Sequence, residues 1–250
     1  VASSGKAKKG AKAPKAKAGG GGGARWRRWL LWLGLAWLAL TVGPVVLLRW
    51  VNPPTTAFME LRKAEARARN EKGFELHHQW VPLARVAPPL RLAVVAAEDQ
   101  KFPRHHGFDV QAIEDALEDR LEGKSSRGAS TLTQQVAKNL FLWPGRSFLR
   151  KGLEAYFTVL LELCWPKARI LEVHLNVAEY GDGVYGVEAA AKRSFGTSAA
   201  AVSATQAAML AVVLPSPRTR RVNAPTPKAR QRIEWILEQM ERLGPQYLER

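Results

Sequence analysis

Glu98-Asp99-Gln100-Lys101-Phe102-Pro103-Arg104-His105-His106-Gly107-Phe108-Asp109 follows directly on the apolar run Leu90-Arg91-Leu92-Ala93-Val94-Val95-Ala96-Ala97. Pro88-Pro89 precede that run, and proline suits the first turn of a helix, so a helix is predicted to start there. Glu98 and Asp99 then fall at its C-terminal end, where the macrodipole disfavours negative charge by roughly 0.3–1 kcal/mol. A carboxylate projecting from an apolar helix is also one whose pKa rises toward that of a useful proton acceptor. Spacing alone leaves two readings open: a helix end fraying into a polar loop, or a carboxylate kept for chemistry.

Working outward toward the C-terminus, Asp109 to Leu121 has helical periodicity, with Ile113, Ala116, Leu117 and Leu121 on one face. The small-residue loop Gly123 to Ala129 contains Gly-Lys-Ser, but Glu118 stands where a phosphate loop needs its first glycine, so a nucleotide site is rejected. Thr131 and Gln134 have capping-box spacing and predict a helix start. Free amides at that start, flanked by Arg127 and Lys138, suit an anion such as a pyrophosphate. Trp143-Pro144-Gly145 is a break, and Arg146-Ser147 open a long helix to about Cys164 with Leu153, Phe157, Leu160 and Leu161 as its buried stripe. Lys151 and Glu154 are near neighbours on it, a spacing that on an exposed face is worth little. Ile170 to Asn176 continues as helix, a glycine-rich turn surrounds Tyr180 and Tyr185, and two further helices run over Ala204–Leu214 and Pro227–Leu243. No stretch alternates with period two, so a mainly α fold is expected.

Toward the N-terminus the composition changes. The 250 residues carry a formal charge of +16, unevenly placed. Residues 1–28 hold only basic charges among Gly, Ala and Pro and are expected to be a disordered basic tail. Residues 29–48, closed by Arg49, are uncharged and mostly apolar, and a helix of that length spans about 30 Å, the bilayer's hydrocarbon thickness. Trp26, Trp29 and Trp50 stand at its ends, as interfacial indoles do. The run is long for a cleaved signal peptide, and it is read as a retained transmembrane helix over 29–49. The basic tail outweighs the mixed charges Glu60, Arg62, Lys63 and Glu65 beyond it, which places 1–28 in the cytoplasm and 50–250 outside. Thr55 to Lys72 reads as an amphipathic helix, either interfacial or packed on the domain as a connector. His77 and His78 lack further ligands at metal-binding spacing, and the single cysteine, Cys164, permits no internal disulfide.

Glu-Asp-x-x-Phe-x-x-His-x-Gly-x-Asp, from Glu98 to Asp109, resembles the first motif of the peptidoglycan glycosyltransferases, lysozyme-like enzymes that polymerise the lipid-linked disaccharide of bacterial cell walls. Gly128-x-Ser130-Thr131-Leu132-Thr133-Gln134-Gln135-x-x-Lys138-Asn139 is similar to the second motif, and Arg150-Lys151-Gly152-Leu153-Glu154 to the third. The region from Ile170 to Ala191 resembles the fourth, whose Glu and Asn are architectural, and the segment ending Pro215-Ser216-Pro217 the fifth. His174 and Ser194 depart from it, standing where the resemblance leads one to expect tyrosine. The likeness covers roughly residues 54–243, and the chain closes before a transpeptidase domain would begin, as in the family's monofunctional biosynthetic transglycosylases.

The resemblance implies a lysozyme-like glycosyltransferase domain over residues 50–250, behind a single transmembrane helix. It implies Glu98 as catalytic base and Glu154 in the same cleft, either helping to hold a divalent metal (Mg2+ or Mn2+) or orienting a phosphate-binding cation. Substrate contacts are implied at Asp99, Phe102, His105, Ser130, Thr131, Gln134, Gln135, Lys138, Asn139, Arg146 and Lys151. The implied partners are lipid II, the growing lipid-linked glycan strand, the bacterial cytoplasmic (inner) membrane with the domain on its periplasmic side, and other cell-wall synthesis proteins; nucleic acid is not among them. A lysozyme-like hydrolase is the nearest rival, though it needs neither the phosphate-facing cations nor an anchor. A membrane-tethered adaptor or nucleic-acid binder would leave five ordered motifs unexplained.

Overall fold

The structure, a computed structural model, describes residues 1–2, 10, 22–124, 128–145 and 147–249. Most of the basic tail, the 125–127 part of the loop with Arg127, and Arg146 lie outside the described residues. The chain divides into two compact units, Val1–Thr41 and Val42–Arg250. Helix α1 (Gly22–Leu48) starts before Trp29, so helix already covers the last residues of the basic tail. Once a helix is nucleated each added residue costs little, and Arg25, Trp26, Arg27 and Arg28 extend it readily. Its segment Arg25–Leu47 is long and apolar enough to cross a membrane, with mean hydropathy 2.1.

In the larger unit the end of α1 is held by side-chain bonds to its carbonyls: Trp165 Nε1 donates to Val45 O at 2.7 Å and Arg169 Nη2 to Leu48 O at 2.9 Å. Helix α2 (Ala57–Ala68) is capped by Thr56 and is shorter than the predicted 55–72, because Asn70 takes a left-handed φ of 51°. It buries Met59, Arg62 and Ala66, which makes it a connector packed on the domain. Buried Arg62 donates through Nε to Asp182 Oδ1 at 2.7 Å and through Nη2 to Glu71 Oε2 at 2.5 Å.

After the two-residue strand β1 (His77–His78) comes helix α3 (Pro88–Glu98), begun by its prolines as the sequence predicts. Leu90 and every residue from Leu92 to Ala96 are buried, so α3 is apolar nearly all round and forms the axis of the domain. Helix α4 (Val110–Leu121), capped by Asp109, buries nothing: Ile113, Leu117 and Leu121 are 43%, 58% and 79% exposed. Its apolar face is real, but no element among the described residues buries it.

Helix α5 (Leu132–Phe141) carries the predicted capping box, and helix α6 (Phe148–Cys164) is capped by Ser147. Helix α7 (Lys167–Val177), strands β2 (Glu179–Gly181) and β3 (Val184–Tyr185), helix α8 (Val187–Phe195), helix α9 (Ala204–Ala211) and helix α10 (Pro227–Leu243) complete the order. α3 packs against α9 and α10, while α5 packs against α6, α7 and α2. The three strands form a small sheet in the order β1-β3-β2, with β1 and β3 parallel and β2 and β3 antiparallel. Elements two or three residues long leave no period-two signature, so the sequence showed only a tight turn there. Gly186 makes that turn possible: its φ is 82°, and a Cβ there would lie 2.7 Å from Asn176 O. Buried Asn176 in turn bonds Val81 through both N–H and C=O, an architectural role as expected.

Candidate active site

The site forms where the first motif leaves α3. Glu98 is the last helical residue and Asp99 the C-cap, whose backbone (φ −159°, ψ 78°) turns the chain away from the axis. Asp99 is 6% exposed. Its Oδ2 accepts from Leu132 N at 2.9 Å, at the start of α5, and its carboxylate receives His105 Nε2 at 2.9 and 3.0 Å. His105 Nδ1 accepts from Gly107 N–H at 3.1 Å, so the proton facing Asp99 sits on Nε2. A carboxylate misplaced at one helix's C-terminus is thereby well placed at another's N-terminus, which offsets the dipole cost read from the sequence.

That arrangement corrects the expectation of an open anion site at the start of α5. Leu132 N–H is taken by Asp99, Gln134 N–H by Thr131 Oγ1 at 3.3 Å, and Thr131 N–H by Gln134 Oε1 at 2.9 Å. Thr131 Oγ1 also donates to Gly107 O at 2.7 Å. Gly107 itself, with φ 89°, lies so close to α6 that a Cβ would meet Thr158 Cγ2 at 2.7 Å. Asp99, His105, Thr131 and Gln134 therefore fasten the first and second motifs together, with Phe102 buried against His105, and Asp99 and Thr131 also line the cleft that Glu98 faces. Asn139 is also buried.

Glu98 does face a cleft, of about 1000 Å³, lined also by Lys101, Ser130, Gln135, Arg220, Arg232 and Trp235. Glu98 is half-buried, and its Oε2 accepts from Gln135 Nε2 at 2.9 Å. Burial pushes its carboxyl above the usual range, against the opposing pull of the Gln135 bond and of Arg232, Lys138 and Arg220. A carboxylate so placed is a base with raised proton affinity.

The cationic part lies on α5 and α6. Glu154 is 3% exposed and receives Arg150 Nη1 at 2.6 Å and Lys151 Nζ at 2.5 Å. Lys138, half-buried on α5, has its pKa lowered, first by desolvation, while Glu154 and Glu98 oppose the shift and Arg150 and Lys151 add to it. Buried Glu154 thus carries Arg150 and the half-exposed Lys151, with desolvated Lys138 in electrostatic reach, leaving net positive charge that an anion would compensate. Arg150 Nε is buried with no hydrogen-bond partner among the described residues. The Lys151–Glu154 pair, worth little if exposed, has one member almost wholly buried and is part of this cluster.

Glu154 fits a metal poorly. Both its oxygens are engaged by cations, and no group of three His, Cys, Asp or Glu converges among the described residues. Its place suits the alternative, orientation of phosphate-binding cations, and no step is assigned to a metal. Sequence reasoning missed Arg150 as a site residue although it lies within the third motif, one helical turn before Glu154. It also missed Arg220 and Arg232, which reach the cleft from more than a hundred residues beyond Glu98 and follow no local pattern.

The transglycosylase family model matches residues 65–241. The chain is 52% identical over 216 residues to the biosynthetic peptidoglycan transglycosylase of Xanthomonas campestris pv. campestris strain B100, covering 86% of this chain and 88% of that protein. It is 55% identical over 218 residues to the protein of that name from Stutzerimonas stutzeri strain A1501, covering 86% and 90%. It is 51% identical over 205 residues to the one from Xylella fastidiosa strain M12, covering 82% and 84%.

Proposed function

The chain belongs to the transglycosylase family, and we propose that it polymerises lipid II into β-1,4-linked glycan with release of undecaprenyl pyrophosphate. The observation that carries this reading is a desolvated carboxylate, Glu98, at the edge of a cleft and within electrostatic reach of Lys138, which also feels the Glu154 cluster. The growing strand is the donor and lipid II the acceptor. The acceptor's 4-hydroxyl attacks the donor's anomeric carbon from the face opposite the pyrophosphate, and the configuration inverts. Glu98 takes the hydroxyl proton as the new C–O bond forms, because an alcohol is a poor nucleophile without a positioned base. The bond to the pyrophosphate breaks with its electron pair on the leaving oxygen. Lys138, Arg150 and Lys151 meet the charge that develops there, and Glu154 holds the latter two in place. Arg146 adjoins this region in sequence and is proposed to join it.

A hydrolase would use the same carboxylate with water as acceptor. The cation cluster on buried Glu154 favours transfer from a pyrophosphate. Incubating the detergent-solubilised protein with lipid II separates them: glycan lengthens and undecaprenyl pyrophosphate appears if the proposal holds, whereas shortening of preformed glycan or no reaction defeats it.

The substrate's lipid requires a membrane, and α1 supplies an apolar segment of the right length. Exposed apolar side chains on the domain, Ile113, Leu117 and Leu121 of α4 and Phe148 and Leu149 of α6, suit contact with the lipid interface. By the distribution of basic residues the N-terminus lies in the cytoplasm and residues 50–250 on the periplasmic side of the inner membrane, where other cell-wall synthesis proteins are potential partners. A reporter fused at the C-terminus is expected to be active only in the periplasm. A cytoplasmic signal would reverse this topology.

A further inference from the structure

His174 is completely buried on α7, at a position where the resemblance leads one to expect tyrosine, and it lies behind the base rather than in the cleft. Its Nε2 is 3.0 Å from Gln135 Oε1, and the Nε2 of the same Gln135 carboxamide donates to Glu98 Oε2 at 2.9 Å. An ionised carboxylate can only accept. Gln135 must therefore turn its NH2 to Glu98, its oxygen is left for His174, and His174 must offer a proton on Nε2. Nδ1 is then the bare nitrogen, and it has no hydrogen-bond partner among the described residues. Burial holds the imidazole neutral, its pKa pushed down to about 3. This direction of hydrogen bonding is self-consistent only with Glu98 as acceptor.

We infer that His174 is a positioning residue for Glu98: it fixes the carboxamide of Gln135 in the one orientation that presents an N–H donor to the base. The inference rests on Glu98 being the base. Without the His174 proton the carboxamide can rotate, placing oxygen against carboxylate, and the ionised form of Glu98 loses support. The other groups that face Glu98 are Lys138 on α5, Arg232 on α10, Arg220 beyond α9 and Tyr180 on β2.

Two measurements test this. In the unsubstituted protein, 15N-histidine NMR should show the His174 ring neutral with its proton on Nε2 throughout about pH 5 to 8. A proton on Nδ1, or titration within that range, overturns the inference without any variant. In His174→Phe, which keeps a ring and removes both nitrogens, kcat for lipid II polymerisation should fall about tenfold with KM little changed. The acid limb of the kcat–pH profile should move upward by about 0.5–1 pH unit. In a Gln135→Ala background the same change at 174 should move the limb no further. An unmoved limb in His174→Phe, or equal displacement in both backgrounds, overturns the positioning role. Absence of any acid limb in the unsubstituted enzyme would instead overturn the base assignment on which it rests.

Discussion

Glu98→Gln is expected to lower the rate of lipid II polymerisation by about 10²–10⁴, the contribution of a well-placed general base. The amide has the shape of the carboxylate and can still accept from Gln135 Nε2, but it cannot take up the proton of the attacking hydroxyl. The same substitution is expected to leave the fold as stable as before or more so at neutral pH. The sign follows from the direction of the shift: the folded-state pKa of Glu98 is raised by burial, so ionisation at neutral pH opposes folding. That opposition weakens as pH falls through the folded pKa, and the glutamine has no charge to desolvate at any pH. Circular dichroism and thermal melting beside the lipid II assay check both halves. Near-normal turnover would remove Glu98 as the base, and a marked drop in melting temperature would mean that the carboxylate is structural. Loss of rate with undiminished stability is the behaviour of a group held in an unfavourable environment for its chemistry.

Lys138→Met is expected to lower turnover by about 100-fold, within the range seen when a preorganised electrostatic partner of a developing charge is removed. Lys138 stands apart from the other cations because no carboxylate among the described residues bonds it directly: Arg150 and Lys151 are both on Glu154, while Lys138 is desolvated near the ring of Phe58, 5.6 Å from its centroid. Methionine keeps the length of the stem and removes a charge whose burial is itself unfavourable, so stability should change little. The loss should also persist across ionic strength. A general basic field acts over distances that salt screens within about 8–10 Å, whereas a buried contact is screened far less. If raising the salt on the unsubstituted enzyme reproduces the defect of Lys138→Met, the field rather than the contact matters. If neither change affects turnover, the leaving pyrophosphate departs elsewhere.

Much of the fold was legible where structure is local. The prolines before an apolar run, the capping box at Thr131 and Gln134, and the helical period of α10 each act within a few residues, and each appears as read. Where several elements share the work, the sequence is silent. Asp99 reads as a misplaced charge until it is seen serving the start of α5, thirty-three positions on. The apolar face of α4 reads like that of any core helix, and only tertiary structure reveals that it stays exposed among the described residues. Strands as short as β1 and β3 are set by their partners and by Gly186, not by any alternation of their own.

The site divides in the same way. Glu98, Lys138, Lys151 and Glu154 could be picked out because motifs gather them, but their roles depend on burial that no spacing reports. Asp99, His105, Thr131 and Gln134 carry the strongest motif match and prove to be the internal fastening of that match, bonded mainly to one another and to backbone. Arg220 and Arg232 come from the far end of the chain. His174, which the sequence marks only as a departure from the fourth motif, is buried, and its side chain bonds the glutamine that holds the base.

The pH dependence of kcat for lipid II polymerisation by the unsubstituted enzyme tests the role of Glu98 most directly. Glu98 works as a base only when ionised, and burial raises its pKa above the ordinary 4.5. The rate should therefore fall as pH is lowered, along a single-proton limb whose midpoint lies above that ordinary value. A rate that holds constant to well below it, in protein that remains folded, would contradict the assignment of Glu98 as the proton acceptor.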